Sequence, residues 1–247
     1  MMNIHWARSA LAGFCFSVVA ATCFAQKSDD WAMQNAMIGP DSPIEVPAGG
    51  SYDAQAMYPV PDGPLFPLKA SVAWSITPAV KGISIDAKTG KISVAGDVAH
   101  GSTATIHADV AGGRRKLETR LYVFRREENP LVGKWYVDPH MACGDAHEIK
   151  APVFRPRSLY GTTWKFHVDQ QFWAGKEMNI AGGIWLAGRY EHDVKAATIK
   201  LMPEWPKNKP ASNWNYLFKD GGKTLLLHPL EPQDDLEPAC SYILSVR

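Results

Sequence analysis

The chain predicts an all-β protein in two patterned regions, and three observations carry that reading. Apolar residues recur at every second position through most of residues 42 to 247, the period of strands with one face buried and one face wet. No stretch shows the period of an amphipathic helix. A charged segment ending in proline, Arg125-Arg-Glu-Glu-Asn-Pro130, separates the two regions, as expected of a linker over residues 127–130.

Taken in order, the chain starts basic at Met1 to Arg8, continues with an apolar run from Leu11 to Ala21, and reaches a small residue at Ala25. That is the layout of a cleaved export signal over residues 1–25. The run is shorter than the roughly 20 apolar residues that span a bilayer. A periplasmic or secreted protein with no membrane insertion after cleavage is therefore expected. Residues 26–41 form a polar lead-in without a clear period, expected to be loosely held, with Trp31, Met33, Met37 and Ile38 as the residues able to dock on a neighbour.

From residue 42 to 126 the alternation is regular. Val72, Trp74 and Ile76 share a face, as do Ala104, Ile106, Ala108 and Val110, and then Leu117, Thr119, Leu121 and Val123. Ile83-Ser-Ile85 and Ile92-Ser-Val94 flank the turn-forming Asp86-Ala-Lys-Thr-Gly-Lys91, which predicts a hairpin. Short strands at this spacing predict an antiparallel, immunoglobulin-like β-sandwich. The phrases Trp74-Ser-Ile-Thr-Pro-Ala-Val80, Ile83 to Val94 and Gly101-Ser-Thr-Ala-Thr-Ile-His-Ala108 resemble the bacterial immunoglobulin-like group 2 domain. The resemblance implies a spacer or adhesive module on an exported protein and brings no catalytic residues.

Over residues 131–247 every second residue shares a face: Leu131, Gly133, Trp135 and Val137; Trp164, Phe166 and Val168; Ile184, Leu186, Gly188 and Tyr190; Ala197, Ile199 and Leu201; Trp214, Tyr216 and Phe218; Leu225 and Leu227; and Cys240, Tyr242, Leu244 and Val246. A small closed antiparallel barrel is the natural way for so many strands to avoid open edges. Two cysteines survive export, Cys143 and Cys240. An even pair in an oxidising compartment predicts a disulfide, and antiparallel pairing of the first and last strands brings the two together. The opening Leu131-x-Gly133-x-Trp135-Tyr136 resembles the first strand of the lipocalin-like, or calycin, barrels. That resemblance implies an up-and-down barrel, with Gly133 and Trp135 at its closure, that holds a small apolar ligand or docks on a protein partner.

Charge excludes one class of function. Loss of Arg8 with the signal lowers Lys plus Arg from 26 to 25, against 25 Asp plus Glu. A neutral mature chain lacks the basic excess that nucleic-acid binding needs. Several motifs fail on inspection. Gly221-Gly-Lys-Thr224 lacks the leading glycine of a phosphate loop, since Leu217 stands there, and His147-Glu148 lacks the second histidine of a zinc protease, since position 151 is Ala. Glu191 and Asp193 share one strand face, the arrangement of solvated acids at a strand end.

Two sets of residues remain as candidate sites. His140, Cys143 and His147 have nitrogen and sulfur donors at a spacing that suits zinc or copper, in competition with the disulfide for Cys143. Trp173, Trp185 and Trp205 fall outside the predicted inward faces, Trp173 and Trp205 in predicted loops. Tryptophan is favoured at interfaces, so these three are the recognition candidates. No motif implies a cofactor. The expectation is an exported, non-catalytic binding protein of inhibitor or toxin-neutralising type, or a carrier of a small apolar ligand. The alternatives are periplasmic metal handling and an enzyme of unrecognised type.

Overall fold

The structure is a computed structural model that describes residues 30–60, 64–144, 148–150, 163–175, 183–231 and 240–246; the expected signal at 1–25 and His147 lie outside them. The protein is all-β, an eight-stranded antiparallel barrel with further sheets before it.

The first strands in chain order are β1 (Met37–Gly39), β2 (Ile44–Pro47), β3 (Ser51–Asp53), β4 (Gln55–Pro59) and β5 (Leu65–Pro67). They are followed by β6 (Val72–Thr77), β7 (Ile83–Ile85), β8 (Lys91–Val94), β9 (Thr103–Val110) and β10 (Arg115–Phe124). They form three sheets, ordered β1-β4-β5, β2-β10-β9-β6 and β3-β8-β7. The alternating apolar faces of all three meet in one core containing Ile44, Ile92, Ile106, Val110 and Leu121, each fully buried.

Two expectations change here. β2 runs parallel to β10, with Ile44 opposite Leu121 and Val46 opposite Val123, whereas a purely antiparallel sandwich was expected. Period-two burial fixes which face points inward and is silent on strand direction. The lead-in is also built into the fold. Residues 30–34 form a helical turn and Met37–Gly39 pairs with β4, because Ala32, Ala36 and Ile38 are buried and Met33 packs on the same core.

The predicted hairpin is present, with Ile83 opposite Val94 and Ile85 opposite Ile92. Asp86 Oδ1 accepts hydrogen bonds from Thr89 N at 2.7 Å and Lys88 N at 2.9 Å, which holds its carboxyl below the usual range. Gly90 has φ +75°, and a Cβ there would lie 2.7 Å from Ala54 O and 2.8 Å from the Trp74 ring. The turn can close against the core because that position is glycine.

After residue 130 come β11 (Gly133–Cys143), β12 (Glu148–Lys150), β13 (Thr163–Phe166), β14 (Gln171–Gly175) and β15 (Ile184–Asp193). They are followed by β16 (Thr198–Trp205), β17 (Ser212–Lys219), β18 (Thr224–Pro229) and β19 (Cys240–Ser245). The ring runs β11-β13-β14-β15-β16-β17-β18-β19 and closes by pairing of β11 with β19, while β12 adds to the end of β11. Asp220–Gly222 makes a short 3-10 turn between β17 and β18, so the Gly221-Gly-Lys-Thr224 phrase belongs to a hairpin.

The barrel interior is a packed aromatic core. Trp164 is 1 % exposed and lies 5.9 Å from Phe166, 6.2 Å from Phe172 and 6.4 Å from Trp214, centroid to centroid. Phe166 meets Tyr190 edge-on at 5.2 Å, and Trp214 meets Tyr242 at 5.8 Å. Trp135 is equally buried, packs on Phe218 at 5.9 Å and donates through Nε1 to Leu131 O at 2.8 Å.

The N-terminal sheets meet the barrel at Glu45, whose side chain is 6 % exposed. Glu45 Oε1 accepts from Val168 N at 2.9 Å and lies 3.2 Å from His167 Nδ1, and Oε2 lies 3.9 Å from Lys165 Nζ. Asp41 lies 3.8 Å from the same ammonium, and Phe124, Val132 and Val168 form an apolar cluster of their own. A carboxylate in so dry a place requires such donors. Glu45→Ala leaves the nearly buried Lys165 with Asp41 as its remaining carboxylate among the described residues. The expected loss of stability is about 3 kcal/mol, read from the shift in denaturant midpoint.

Candidate functional site

The outer face of the barrel carries two of the three sequence-predicted recognition residues, Trp173 and Trp205. On β14, Phe172 and Ala174 point inward and are buried, so Trp173 lies on the outer face and is half-buried. On β15, Leu186 and Tyr190 are buried, which places Ala187 and Arg189 outward. In register across three strands, Trp173 stands opposite Ala187, and Ala187 opposite Trp205; one step along, Gln171 stands opposite Arg189, and Arg189 opposite Met202. Trp173 and Trp205 are thus on strands, whereas loops were predicted. They sit about 10 Å apart, two strand spacings, with a small residue between them.

A single glycine explains why Trp205 belongs to this row. The β15–β16 register shifts between Ala187 and Gly188, so that Gly188 pairs with Pro203 while Ala187 pairs with Trp205. Glu204 becomes the extra residue of a β-bulge, which re-aims the chain end. A Cβ on residue 188 would collide with Met202 O and lie 2.8 Å from Glu204 N and Pro203 Cα. Gly188 therefore permits the close approach that makes the bulge. The result is Trp205 at 52 % exposure, a large cost for an indole left in water.

The surroundings are of the kinds that interfaces enrich: tryptophan, methionine and arginine. Arg189 is exposed, and among the described residues no carboxylate pairs with it. Ile184 is 47 % exposed at the start of β15. Trp185 is the unpaired residue where the register steps from Ala174 opposite Leu186 to Gly175 opposite Ile184; its side chain lies outside the described residues.

Beneath this face the strands are anchored by Tyr190. Its hydroxyl donates to His167 O at 2.7 Å and accepts from Asn129 Nδ2 at 2.8 Å, and burial pushes the phenol far above its ordinary range. Sequence alternation identifies Tyr190 as inward but gives no sign of its partner Asn129, which the linker region supplies. Arg189 and Met202 were likewise missed, since neither stands out until the register aligns them with the tryptophans.

The other candidates lie elsewhere. Cys143 and Cys240 are directly opposed in β11 and β19 and form the expected disulfide, with Cα atoms 4.0 Å apart. β11 continues past Val137 through a bulge to reach this pair, and Gly133 and Trp135 lie just before the closing pairs, opposite β13. Because Cys143 Sγ is committed to Cys240, the His140, Cys143, His147 set lacks its thiolate, and His140 Nδ1 lies 2.6 Å from Asp138 Oδ1. Among the described residues no group of His, Cys, Asp and Glu is placed to hold a metal. Glu191 and Asp193 are both exposed. Asp193 Oδ1 accepts from Lys195 N at 2.8 Å and Ala196 N at 2.9 Å, and these bonds hold its carboxyl below the usual range. It shapes the β15–β16 turn.

Comparison with known proteins adds little. No family model matches the chain, and no curated protein does. Among solved structures, domains 5-6 of the S-layer protein SbsC are similar at 12 % identity over 86 % of each chain, with a TM-score of 0.25, a likeness too slight to carry an argument about fold or function.

Proposed function

We propose that this is an exported, non-catalytic binding protein in which an immunoglobulin-like spacer over residues 42–126 carries a lipocalin-like barrel over residues 131–247. The barrel recognises a protein partner, in an inhibitor or toxin-neutralising role, through the outer face built on Trp173, Ala187 and Trp205. The observation that carries this reading is the in-register row Trp173, Ala187, Trp205. Two large indoles flank a small residue, with Arg189 and Met202 beside them. Such a row offers anchors and a recess for a partner side chain, and buried aromatic and arginine anchors supply most of the energy at protein interfaces. A protein partner is favoured over a carried ligand because the inward rings of the barrel pack on one another. The Cys143–Cys240 disulfide suits an oxidising compartment. The test is capture of partners from an extract of exported proteins, comparing the wild-type chain with a Trp173→Ser/Trp205→Ser double variant.

A further inference from the structure

A second surface, on the N-terminal sheets, carries a different chemistry. A groove of about 710 Å³ is lined by Trp31, Met33, Tyr58, Val60 and Leu68 on its apolar walls and by Lys69 and Arg114. Trp31, 38 % exposed, meets the Tyr58 ring edge-on at 6.4 Å, and Tyr58 meets the exposed Phe66 at 6.2 Å. The volume lies within the roughly 300–1,000 Å³ of small-molecule sites.

The local sequence explains how the charges arrive there. Arg114 sits on the β9–β10 turn, where Ala111, Gly112 and Gly113 all take positive φ, and Lys69 sits on the link between β5 and β6. Among the described residues, the formal charges lining the groove are these two cations, with the Tyr58 hydroxyl as a neutral donor, and no carboxylate of those residues lines it. The adjoining shallower basin, which shares Leu68, Ala70 and Ser71, adds Lys88 and, among the described residues, no carboxylate. Asp30 lies 3.6 Å from Arg114, but both side chains are more than half exposed, so that pair is weak and replaceable.

We propose that this groove is a binding site for a small amphipathic organic anion, with an aromatic or aliphatic body against Trp31, Tyr58 and Leu68 and a carboxylate or sulfonate between Lys69 and Arg114. The apolar walls supply area to bury, and the two cations of the lining supply charge-assisted hydrogen bonds. The site is independent of the barrel face and of the function proposed for it.

The probes are anilinonaphthalene sulfonate and the neutral phenylnaphthylamine, titrated by fluorescence into the protein expressed from the full-length chain. The wild type is expected to bind the anionic probe saturably at one site. Lys69→Gln/Arg114→Gln is expected to weaken the anion by at least about tenfold and leave the neutral probe unchanged. Lys69→Arg/Arg114→Lys is expected to retain the anion, and Trp31→Ala to weaken both probes. Absence of saturable binding in the wild type overturns the proposal. So does an unchanged anion affinity in the neutralised variant, or equal loss of both probes there.

Discussion

Trp164→Ala is expected to lower the unfolding free energy by about 4 kcal/mol, within the roughly 3–5 kcal/mol range of large aromatic truncations in cores. Trp164 contacts three other rings, on its own strand β13, on neighbouring β14 and on β17. Closure of the barrel holds those strands in place, so the space cannot collapse. A second substitution separates packing from polarity. Among the described residues Trp164 Nε1 is buried without a hydrogen-bond partner, and an orphaned buried donor costs about 1–3 kcal/mol. Trp164→Phe removes that donor while keeping most of the ring, so its cost is expected to be about 1 kcal/mol. Chemical denaturation of the two variants checks both values; equal losses would contradict the assignment of Trp164 to a packed lumen.

Removal of the disulfide is expected to be similarly severe. Cys143 and Cys240 are separated by 97 residues, and the chain-entropy account assigns a loop of that length roughly 4–5 kcal/mol. Cys143→Ala/Cys240→Ala is expected to lose about 2–5 kcal/mol, the range found for native bridges in small exported domains. The bridge ties the two strands that close the ring, so the loss concentrates at that seam. Hydrogen exchange in β11 and β19 is expected to accelerate more than in β15 and β16. A uniform acceleration across the barrel would contradict that placement.

How far the sequence discloses this protein depends on the kind of question. Strand faces were legible because period-two burial is a local signal: Trp135, Trp164, Trp214, Leu225 and Leu244 all point inward as alternation predicts. The hairpin at Asp86 to Lys91 and the bond between Cys143 and Cys240 were legible for similar reasons, from turn chemistry and from an even cysteine pair. Strand direction was not, because β2 buries the same residues whether it runs parallel or antiparallel to β10. The lead-in misled because its apolar residues, Ala32, Ala36 and Ile38, are small or few and share their stretch with polar ones.

The candidate site shows the limit more sharply. Trp173 and Trp205 were identified singly, as residues off the predicted core faces, but nothing local says that they share a row. That relation depends on two registers and one bulge, and the bulge depends on how close Gly188 lies to Met202 and Glu204. The groove between Trp31 and Arg114 is of the same kind. Its walls come from the lead-in, from β4, from the β5–β6 link and from the β9–β10 turn, distant in sequence and brought together by sheet packing.

The central claim, that the barrel binds a protein through its tryptophan face, is tested most directly by comparative capture. Wild-type protein and the Trp173→Ser/Trp205→Ser variant are immobilised in equal amounts and exposed to the same extract of exported proteins. Retained proteins are identified by mass spectrometry and their affinities then measured with purified partner. A partner held by the wild type and weakened at least about a hundredfold in the variant is the predicted result, with the thermal midpoint of the variant within a few degrees of the wild type. A partner held equally by both, or none held by either, would contradict it.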